Sequence, residues 1–411
     1  MKIAIFSDCY LDLTGGIVTN INAEKAALES RGHTVYVFSS AYPRSRKAKS
    51  ALAAQNIFPV KSCRLFFRGL TPIARRPRII ERELMKTHPE LRDFDIFYVH
   101  YEAGCSIAGL RLAKHLKIPS VQVMHGREDI GEQNLIPRGF RTVVATLLDW
   151  FHSWYLPHPV KIRRDDYLVP TIASAKMWSL MVNHANAADL VITPSDHFRE
   201  KLAYYGVKRD IIALHHGIDD ALVAEQISPR KFNDGDTLRI IWHSRITEEK
   251  RILPFLKALD QVKSPYHLDV YGSGVEEPLA VTYAKSHRMN VTFHGEAGFA
   301  EIWQAIKNAH LDVLVSYNYD TFGMTLIEAE AAGTPVFIVD PDMKEIVPKG
   351  SFLLADGPDV MNMARALNGI FTHPDSICKM SQIMLKNRHQ IKLSRKIDEL
   401  ENIFRNLSKK H

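Results

Sequence analysis

Cysteine is scarce in this sequence of 411 residues, and long apolar runs are absent. The four cysteines are scattered and form no Cys-x-x-Cys pair, which argues against a disulfide framework or a zinc site and indicates a reducing compartment. The longest apolar stretch, residues 142–160, contains an aspartate and two histidines. We therefore expect no transmembrane helix. The opening MKIAIFSD has no apolar signal region, so we expect no secretion.

Several signatures of catalytic chemistry are also missing. The sequence contains neither a P-loop nor a Gly-x-Ser-x-Gly motif, and no carboxylate completes a metal triad with the pair His215–His216. The stretch Tyr271–Gly274 ends a predicted strand but lacks the spacing of a full dinucleotide fingerprint. The sequence therefore argues against NAD binding. We expect an activity that needs neither a metal nor an organic cofactor.

Positive charge is concentrated in one segment. The chain has 53 lysines and arginines against 46 acids, a net charge of +7. The window Ala41–Lys86 holds twelve basic residues and two acids, so it carries +10 while the remainder sums to −3. Such a patch attracts phosphate, either of nucleic acid or of anionic lipid. Within the window, aromatic residues and arginines alternate as they do in interfacial segments, at Arg64, Phe66, Phe67, Arg68, Arg75 and Arg76.

Short apolar runs alternate with helical stretches along the whole chain. The first strands are predicted at Lys2–Phe6, Thr34–Phe38 and Asp95–His100, and a second series starts with Leu238–Trp242 after a polar connection at Asp219–Asp236. This βαβ alternation predicts an α/β protein with two doubly wound, Rossmann-like domains. We place them at residues 1–217 and 218–390, with a C-terminal helix at 391–411 that packs back on the N-terminal domain. The active site is expected in the cleft between the domains, at the carboxyl ends of the strands.

The strongest motif runs from Asp320 to Glu328 and continues as Ala-Glu-Ala-Ala-Gly-Thr-Pro. A helix is predicted to open near Gly323, where free amides bind a diphosphate and a glycine permits close approach. Asp320 and Glu328 could then hold hydroxyls at both ends of a sugar nucleotide. The alternative is an ordinary capped helix with a solvent-facing acid.

Three further candidates follow predicted strands. Arg245 and Lys250 lie on one loop, where they would neutralise a pyrophosphate unless the loop is simply solvated. The pair Gly15–Gly16 could allow a phosphate to approach the backbone closely. The alternative is that it forms an ordinary turn. His125 ends an apolar strand beside a glycine, which places it either towards the expected cleft or among buried structural histidines.

Taken in this order, the motifs resemble those of the retaining, nucleotide-sugar-dependent glycosyltransferases of family 4, which have the GT-B fold. The matching features are the Gly-Gly loop, the Arg-x4-Lys loop and the acid pair with seven residues between its members, although the first acid is Asp320 where the family usually has Glu. The resemblance implies catalytic roles for His125, Arg245, Lys250, Asp320 and Glu328. It implies donor contacts from this group and from Gly16, Gly274, Phe322, Gly323, Met324 and Thr325.

Within the family, the opening twenty-one residues and the segment 100–126 are similar to bacterial diacylglycerol glucosyltransferases. This likeness implies transfer of a hexose, glucose by preference, from a UDP-sugar to a membrane lipid. It also implies a cytoplasmic enzyme bound peripherally to the inner face of the cell membrane through its N-terminal domain. Trp150, Trp154 and Tyr155 offer a second apolar contact, although core packing is the favoured interpretation for these three.

Other functions remain open on the sequence. A cytoplasmic family member could act on a polysaccharide or another sugar, and a GT-B epimerase would consume the sugar nucleotide without an acceptor. A nucleic-acid-binding protein would use the basic window, but the sequence holds no recognisable nucleic-acid module and the paired carboxylates would go unexplained. We therefore expect a nucleotide sugar, a lipid acceptor and an anionic membrane as partners, and no nucleic acid.

Overall fold

The computed structural model describes residues 1–8, 16–41, 55–64, 72–74, 76–130 and 136–410. The chain forms two compact units, Met1–Leu214 together with Lys396–His411, and His215–Arg395. Each unit is a largely parallel sheet flanked by helices, so the predicted α/β fold class is confirmed. Among the described residues, no helix combines the length and apolar character required to cross a membrane.

The first unit is built on an eight-stranded sheet in the order β4-β3-β2-β1-β5-β6-β7-β8. All neighbouring pairs are parallel except β3 and β4 at one edge. The strands are β1 Lys2–Ser7, β2 Thr34–Ala41, β3 Ile57–Arg64, β4 Pro72–Ala74, β5 Ile96–His100, β6 Ser120–Val123, β7 Leu190–Thr193 and β8 Ile211–Ala213. The strand order reverses between β1 and β5, and ligands of such sheets bind at the carboxyl ends beside that reversal.

The helices described in this unit, which lie between the strands, are α1 Gly16–Ser30, α2 Pro77–Thr87, α3 Gly104–Leu116, α4 Arg141–Ser153, α5 Ile172–Ala187 and α6 Asp196–Tyr204. Phe6 is buried between Phe38 and Phe97, with ring centroids 5.2 and 5.1 Å away, and this aromatic layer fills the core beneath α3. Gly109 of α3 packs on the same ring, because a Cβ there would lie only 2.6 Å from Phe6.

The second unit contains a six-stranded parallel sheet in the order β11-β10-β9-β12-β13-β14, which reverses between β9 and β12. Its strands are β9 Leu238–His243, β10 Tyr266–Tyr271, β11 Val291–Gly295, β12 Leu311–Leu314, β13 Val336–Ile338 and β14 Phe352–Leu354. Its helices are α7 Asp220–Ala224, α8 Ile252–Leu259, α9 Glu277–Ser286, α10 Phe299–Asn308, α11 Met324–Ala332, α12 Val360–Thr372 and α13 Asp375–Asn387.

The C-terminal helix, α14 Leu393–Lys410, enters the first unit from Lys396 onwards. Lys396 is buried, forms an ion pair with the fully buried Glu24 of α1 and donates to Asn20 Oδ1 at 2.8 Å. Farther along the helix, Phe404 packs edge-on against Tyr98 of β5, with ring centroids 5.1 Å apart. These contacts attach the end of the chain to the sheet of the first unit.

The polar stretch Asp219–Asp236 is part of the second unit, whereas its composition predicts a connection between domains. Arg230 is buried and donates to the carbonyl oxygens of Ala309 and Ala332 and to the hydroxyl of Thr334. Phe232 lies in the core of the same unit. A single arginine can satisfy several buried acceptors with its five donors, which is why a polar segment is buried here.

Candidate active site

The second unit gathers its predicted functional residues at the carboxyl ends of β9 and β12, the two strands where the sheet order reverses. Arg245 follows β9, and its guanidinium donates to the Tyr319 hydroxyl at 2.9 Å and lies 3.4 Å from Glu249. The Arg245 side chain is 59% exposed, so it can still meet an anion from solvent. Tyr319 was not a sequence candidate, and its place beside the arginine is a finding of the structure.

Lys250 and Asp320, predicted from two separate motifs, form one ion pair. The ammonium lies 2.7 and 2.9 Å from the two carboxylate oxygens and 5.2 Å from the centre of the Tyr319 ring. The Ser316 hydroxyl also donates to Asp320. Both charged side chains are mostly buried, at 12% and 13% exposure. The aspartate is thereby fixed in one orientation at the end of β12.

The loop after β12 leads into α11 through Gly323, whose φ of +71° favours glycine. A Cβ at this position would lie 2.8 Å from Leu314, so the turn also needs the missing side chain. The first amides of a helix have no intrahelical partners, which makes them donors to an anion. Within the described part of the chain, the buried hydroxyl of Thr325 has no hydrogen-bond partner. A phosphate oxygen is a suitable acceptor for it.

Glu328, one turn into α11, is the partly exposed end of a chain of three titratable groups, of which His243 and Asp312 are buried. Its carboxylate lies 3.4 Å from Nδ1 of His243, and Nε2 of the same imidazole lies 2.7 Å from Asp312 of β12. The pKa of Glu328 is raised to about 6, because burial raises it by more than the contact with His243 lowers it, and the charge of Asp312 adds to the rise. Burial alone would lower the pKa of His243, but Asp312 and Glu328 raise it overall. Glu328 is therefore in contact with a buried imidazole and is not a freely solvated acid, although its side chain keeps 20% exposure.

Neither His243 nor Asp312 was predicted to matter. Both lie at strand positions that read as ordinary core, and their imidazole–carboxylate contact joins residues 69 positions apart. The only signal in the sequence is that each is a titratable residue in a strand made mainly of apolar residues. Buried groups of this kind need partners, because an isolated buried charge is costly.

The glycines of the Tyr271–Gly274 stretch permit two loops to pack backbone to backbone. A Cβ on Gly272 would lie 2.1 Å from the carbonyl oxygen of Ser244, and one on Gly274 would lie 2.2 Å from that of Ile246. The amide of Ile246 donates to the Ser273 carbonyl at 2.9 Å. Gly274 therefore supports the loop that carries Arg245, which explains the motif without a dinucleotide.

Two other residues of the acidic motif are mainly structural in their side chains. Phe322 is 3% exposed and packs against the imidazoles of His215 and His216, with ring centroids 5.6 and 4.9 Å away. Met324 packs on the same core while opening α11. Any donor contact from these two positions would therefore come from the backbone.

In the first unit, His125 follows β6 and lies against His100, the last residue of β5. The imidazoles stack with centroids 5.1 Å apart, and Nδ1 of His100 lies 2.9 Å from Nε2 of His125. Burial lowers the pKa of His100 to about 3 and that of His125 well below its ordinary value, helped by the other imidazole. His125 is thus a neutral imidazole held by a second, fully buried one. Sequence reasoning did not identify the role of His100.

The N-terminus of α3 also lies at the carboxyl end of the first unit's sheet, but its free amides already bind a side chain of the protein. Asp8, directly after β1, accepts hydrogen bonds from the amides of Ala103, Cys105 and Ser106 at 3.2, 2.8 and 3.1 Å. Burial raises the pKa of Asp8. The start of α3 is thereby capped within the protein. Gly16, the remaining phosphate candidate of this unit, is exposed at the first position of α1.

The predicted membrane patch lies largely outside the described residues. This holds for Phe66, Phe67, Arg68 and Arg75, and for the side chain of Arg64 at the end of β3. Arg76 is described, and it is exposed at the start of α2. Trp150 and Trp154 are 52% and 59% exposed, so the favoured expectation of core packing is wrong for them. Tyr155 does pack on the core of the first unit.

No group of three or more His, Cys, Asp or Glu side chains is arranged to hold a metal ion within the described ranges. His243, Asp312 and Glu328 contact one another in a row and do not converge on a common point. The expectation that the activity needs no metal stays a prediction.

Comparison with known proteins assigns both units. Residues 14–222 match the family described as Glycosyltransferase Family 4, and residues 223–390 match Glycosyl transferases group 1. The alpha-monoglucosyldiacylglycerol synthase of Streptococcus pneumoniae is 24% identical over 82% of this chain and 70% of its own length. The synthase of the same name from Acholeplasma laidlawii is 24% identical over 82% of this chain and 80% of its own.

Among solved structures, Anabaena Alr3699/HepE in complex with UDP covers 99% of this chain and 100% of its own. The TM-score is 0.68 at 15% identity, a likeness that shows the shared GT-B fold. The predicted fold is thus confirmed at the level of the whole chain.

Proposed function

The chain belongs to glycosyltransferase family 4, and on that premise we propose that it transfers a hexose, which we take to be glucose, from a UDP-sugar to a diacylglycerol-type membrane lipid with retention of configuration. Glycosyltransferase activity follows from the family and from the relatives of both units. The donor, the stereochemistry and the lipid acceptor are the proposal. The names of the two synthases support the lipid.

One observation carries the donor proposal. At the reversal of the second sheet, the start of α11, the pair Lys250–Asp320 and the carboxylate of Glu328 surround the same strand ends. We assign the diphosphate to the α11 amides and the Thr325 hydroxyl, and the ribose hydroxyls to Glu328. Asp320 is assigned to hydroxyls of the transferred sugar.

The leaving diphosphate needs positive charge as its bond to the sugar breaks. Arg245 supplies an exposed planar fork, which suits phosphate oxygens. Lys250 uses two contacts on Asp320, and an ammonium has three donors, so one remains for a phosphate oxygen. Charge from these two cations and the helix start would serve in place of a metal ion.

Retention would arise from attack on the face that the diphosphate leaves, with the departing phosphate taking the proton of the acceptor hydroxyl. No side-chain nucleophile is required in this scheme. His125 would contribute a neutral imidazole donor to a sugar hydroxyl, and its stacking on His100 would keep it in position. A neutral imidazole suits this task because it can donate a proton in a hydrogen bond without bringing a charge.

We also propose that the enzyme binds peripherally to the inner face of the cell membrane. The +10 window at Ala41–Lys86 supports this, since each basic residue near an anionic surface contributes about 1 kcal/mol before screening. Attraction to anionic lipid would bring the enzyme to an acceptor that cannot leave the bilayer.

The direct test is product identification. The purified protein is incubated with a panel of UDP- and GDP-sugars, together with diacylglycerol in detergent micelles or an oligosaccharide, and products are identified by mass and by anomeric NMR coupling. The expected product is an α-glucosyl lipid from UDP-glucose, formed equally well with EDTA present. The variant Lys250→Ala should lose activity, and Lys257→Ala, which removes an exposed lysine of α8, should keep it. A glycosylated oligosaccharide or an epimerised sugar nucleotide would overturn the lipid proposal.

A further inference from the structure

The outer face of α4 carries a continuous row of large apolar side chains beside the exposed hydroxyl residues Thr142, Thr146 and Ser153. Five large side chains in the sequence interval 140–154 are exposed by 52–62%: Phe140, Val143, Leu147, Trp150 and Trp154. Their spacing of three and four residues places them in one row on the helix, which we call the apolar stripe. Thirteen helical residues rise about 20 Å, so the stripe extends over a sizeable part of the surface.

The inner face of α4 makes the contacts that pack this helix onto the first unit. Ala145 and Leu148 pack on Ala173 and Met177 of α5, and His152 is buried on the same side. A helix that lies on a core normally turns charged or polar residues to solvent. α4 has only Arg141 and Asp149 as charged residues, and Asp149 is buried in contact with Lys176 and His158. The stripe is therefore not required for packing within this unit.

Large exposed apolar patches on soluble domains mark places where something else binds. The composition of the stripe favours a bilayer surface, because Trp, Phe, Leu and Val with basic flanks are typical of helices that lie in the interface. The rings of Trp150 and Trp154 lie 4.2 Å apart, which makes one broad aromatic surface at the end of the helix. Tryptophan is enriched at the level of lipid headgroups.

Charges at both ends of the stripe fit an anionic lipid surface. Arg138 is exposed just before Phe140, and Arg141 begins the helix. At the other end, Trp154 lines an open cavity of about 840 Å³ together with Lys114 and Lys117. These lysines are exposed and have no ionic partner among the described residues. The buried Asp149 is the only acid in 136–164, so no exposed acid interrupts the stripe.

The same charges disfavour a second copy of this chain as the occupant. A symmetric dimer pairs each surface patch with itself. Two stripes packed side by side or head to tail would bring basic ends together, and like charges brought together across an interface are unfavourable. A lipid bilayer with anionic headgroups matches both the apolar row and its basic ends.

We propose that the apolar stripe of α4 is a bilayer-inserting surface of the first unit, with the lysines beside Trp154 engaging lipid headgroups. This surface is separate in sequence from the basic window at Ala41–Lys86. The inference rests on the proposed function in one respect, since a lipid acceptor gives the enzyme a reason to lie on a membrane. The inference also requires, independently of the acceptor, that side chains of α4 enter the bilayer.

The protein has a natural probe for this insertion. Of its five tryptophans, Trp178, Trp242 and Trp303 are at most 4% exposed, so only Trp150 and Trp154 can meet lipid. Vesicles of phosphatidylcholine with phosphatidylglycerol should shift the emission to shorter wavelength, and lipids brominated on the acyl chain should quench it. Absence of quenching in vesicles that co-sediment with the protein would overturn the proposal, since binding would then use another surface.

A charge within the stripe supplies the matched test. Leu147→Glu places an acid at a 56% exposed position and keeps both tryptophans, and it should weaken vesicle binding by about tenfold or more. Leu279→Glu makes the same change at a 60% exposed position of α9 and should bind as the unaltered protein does. Val143→Ser is a milder second variant. Thermal melting verifies that each variant is folded.

The outcomes separate this inference from the proposed function. If Leu147→Glu binds vesicles as tightly as Leu279→Glu does, or if the unaltered protein is a dimer that Leu147→Glu dissociates, the stripe is not a lipid surface. Transfer to diacylglycerol in detergent micelles is measured in parallel and should be unchanged in Leu147→Glu. Loss of vesicle binding in a protein that glycosylates no lipid would uphold the stripe and refute the lipid acceptor.

Discussion

The pKa of Glu328 predicts how donor binding depends on pH. We assign this carboxylate to the ribose hydroxyls, and it accepts their hydrogen bonds best when it is ionised. Burial raises its pKa to about 6, well above that of an exposed glutamate. An acid with a raised pKa is ionised only above that value, so binding should be strong near neutral pH and weaken as the pH falls through 6.

The size of the effect follows from the ionised fraction. With a pKa of about 6, the apparent dissociation constant should rise about twofold at pH 6 and about tenfold at pH 5, relative to its value near pH 7. The ligand should be UDP-glucose and not UDP, because the terminal phosphate of UDP titrates in the same range and would add its own pH dependence.

The assay is isothermal calorimetry with UDP-glucose across this pH range, repeated with Glu328→Gln. The glutamine variant keeps the shape of the side chain but cannot ionise, so its affinity should be weaker near neutral pH and nearly independent of pH. A flat profile for the unaltered protein, or the same slope in both proteins, would refute the assignment of Glu328 to the donor. A profile centred well below pH 6 would instead show that His243 stabilises the carboxylate more than its 3.4 Å contact suggests.

Three further changes test other parts of the structure. Lys250→Ala should lower kcat by about 10- to 100-fold, the equivalent of one charge-assisted hydrogen bond, when it is measured at a temperature where the variant is folded; near-normal turnover would contradict its role. Glu330 is 2% exposed, and burial raises its pKa to about 8, so the folded state should lose stability as the pH rises through this range. Glu330→Gln should remove that loss, which is on the order of 4 kcal/mol between about pH 5 and pH 9, and parallel melting curves for the two proteins would contradict it. Lys396→Met should cost about 3–5 kcal/mol in urea unfolding because Glu24 is left buried and unpaired, and adding Glu24→Gln should recover part of the cost.

The fold class could be predicted because the central strands are short apolar runs that alternate with helices. Lys2–Phe6 and Leu238–Trp242 differ from the observed β1 and β9 by one residue at an end. Edge elements gave no comparable signal. β4 and β14 have three residues each, and β3 contains a lysine, a serine and a proline, so their pairing depends on neighbours that sequence periodicity does not reveal.

The sequence predicted which residues belong to the candidate site better than it predicted the contacts between them. The motifs identified Lys250 and Asp320, but their ion pair joins positions seventy residues apart and depends on the sheet order. For the apolar stripe on α4, the sequence shows the pattern but not which face of the helix is exposed. Its apolar spacing is visible in the sequence, yet a row of this kind predicts a core face equally well, and only the position of α5 shows which side is covered.

The aspartate at position 320 illustrates how the structure can compensate for a shorter side chain. A glutamate carboxylate would extend about one methylene farther from the backbone than this one does. Here the Ser316 hydroxyl and the Lys250 ammonium both contact the Asp320 carboxylate, which fixes its direction near the end of β12. The Asp320 carboxylate therefore extends less far than a glutamate carboxylate would, but its position is fixed. A sugar bound to it must lie closer to β12. Asp320→Glu should therefore weaken donor binding, since the longer acid would displace Lys250 before it could reach the same hydroxyls.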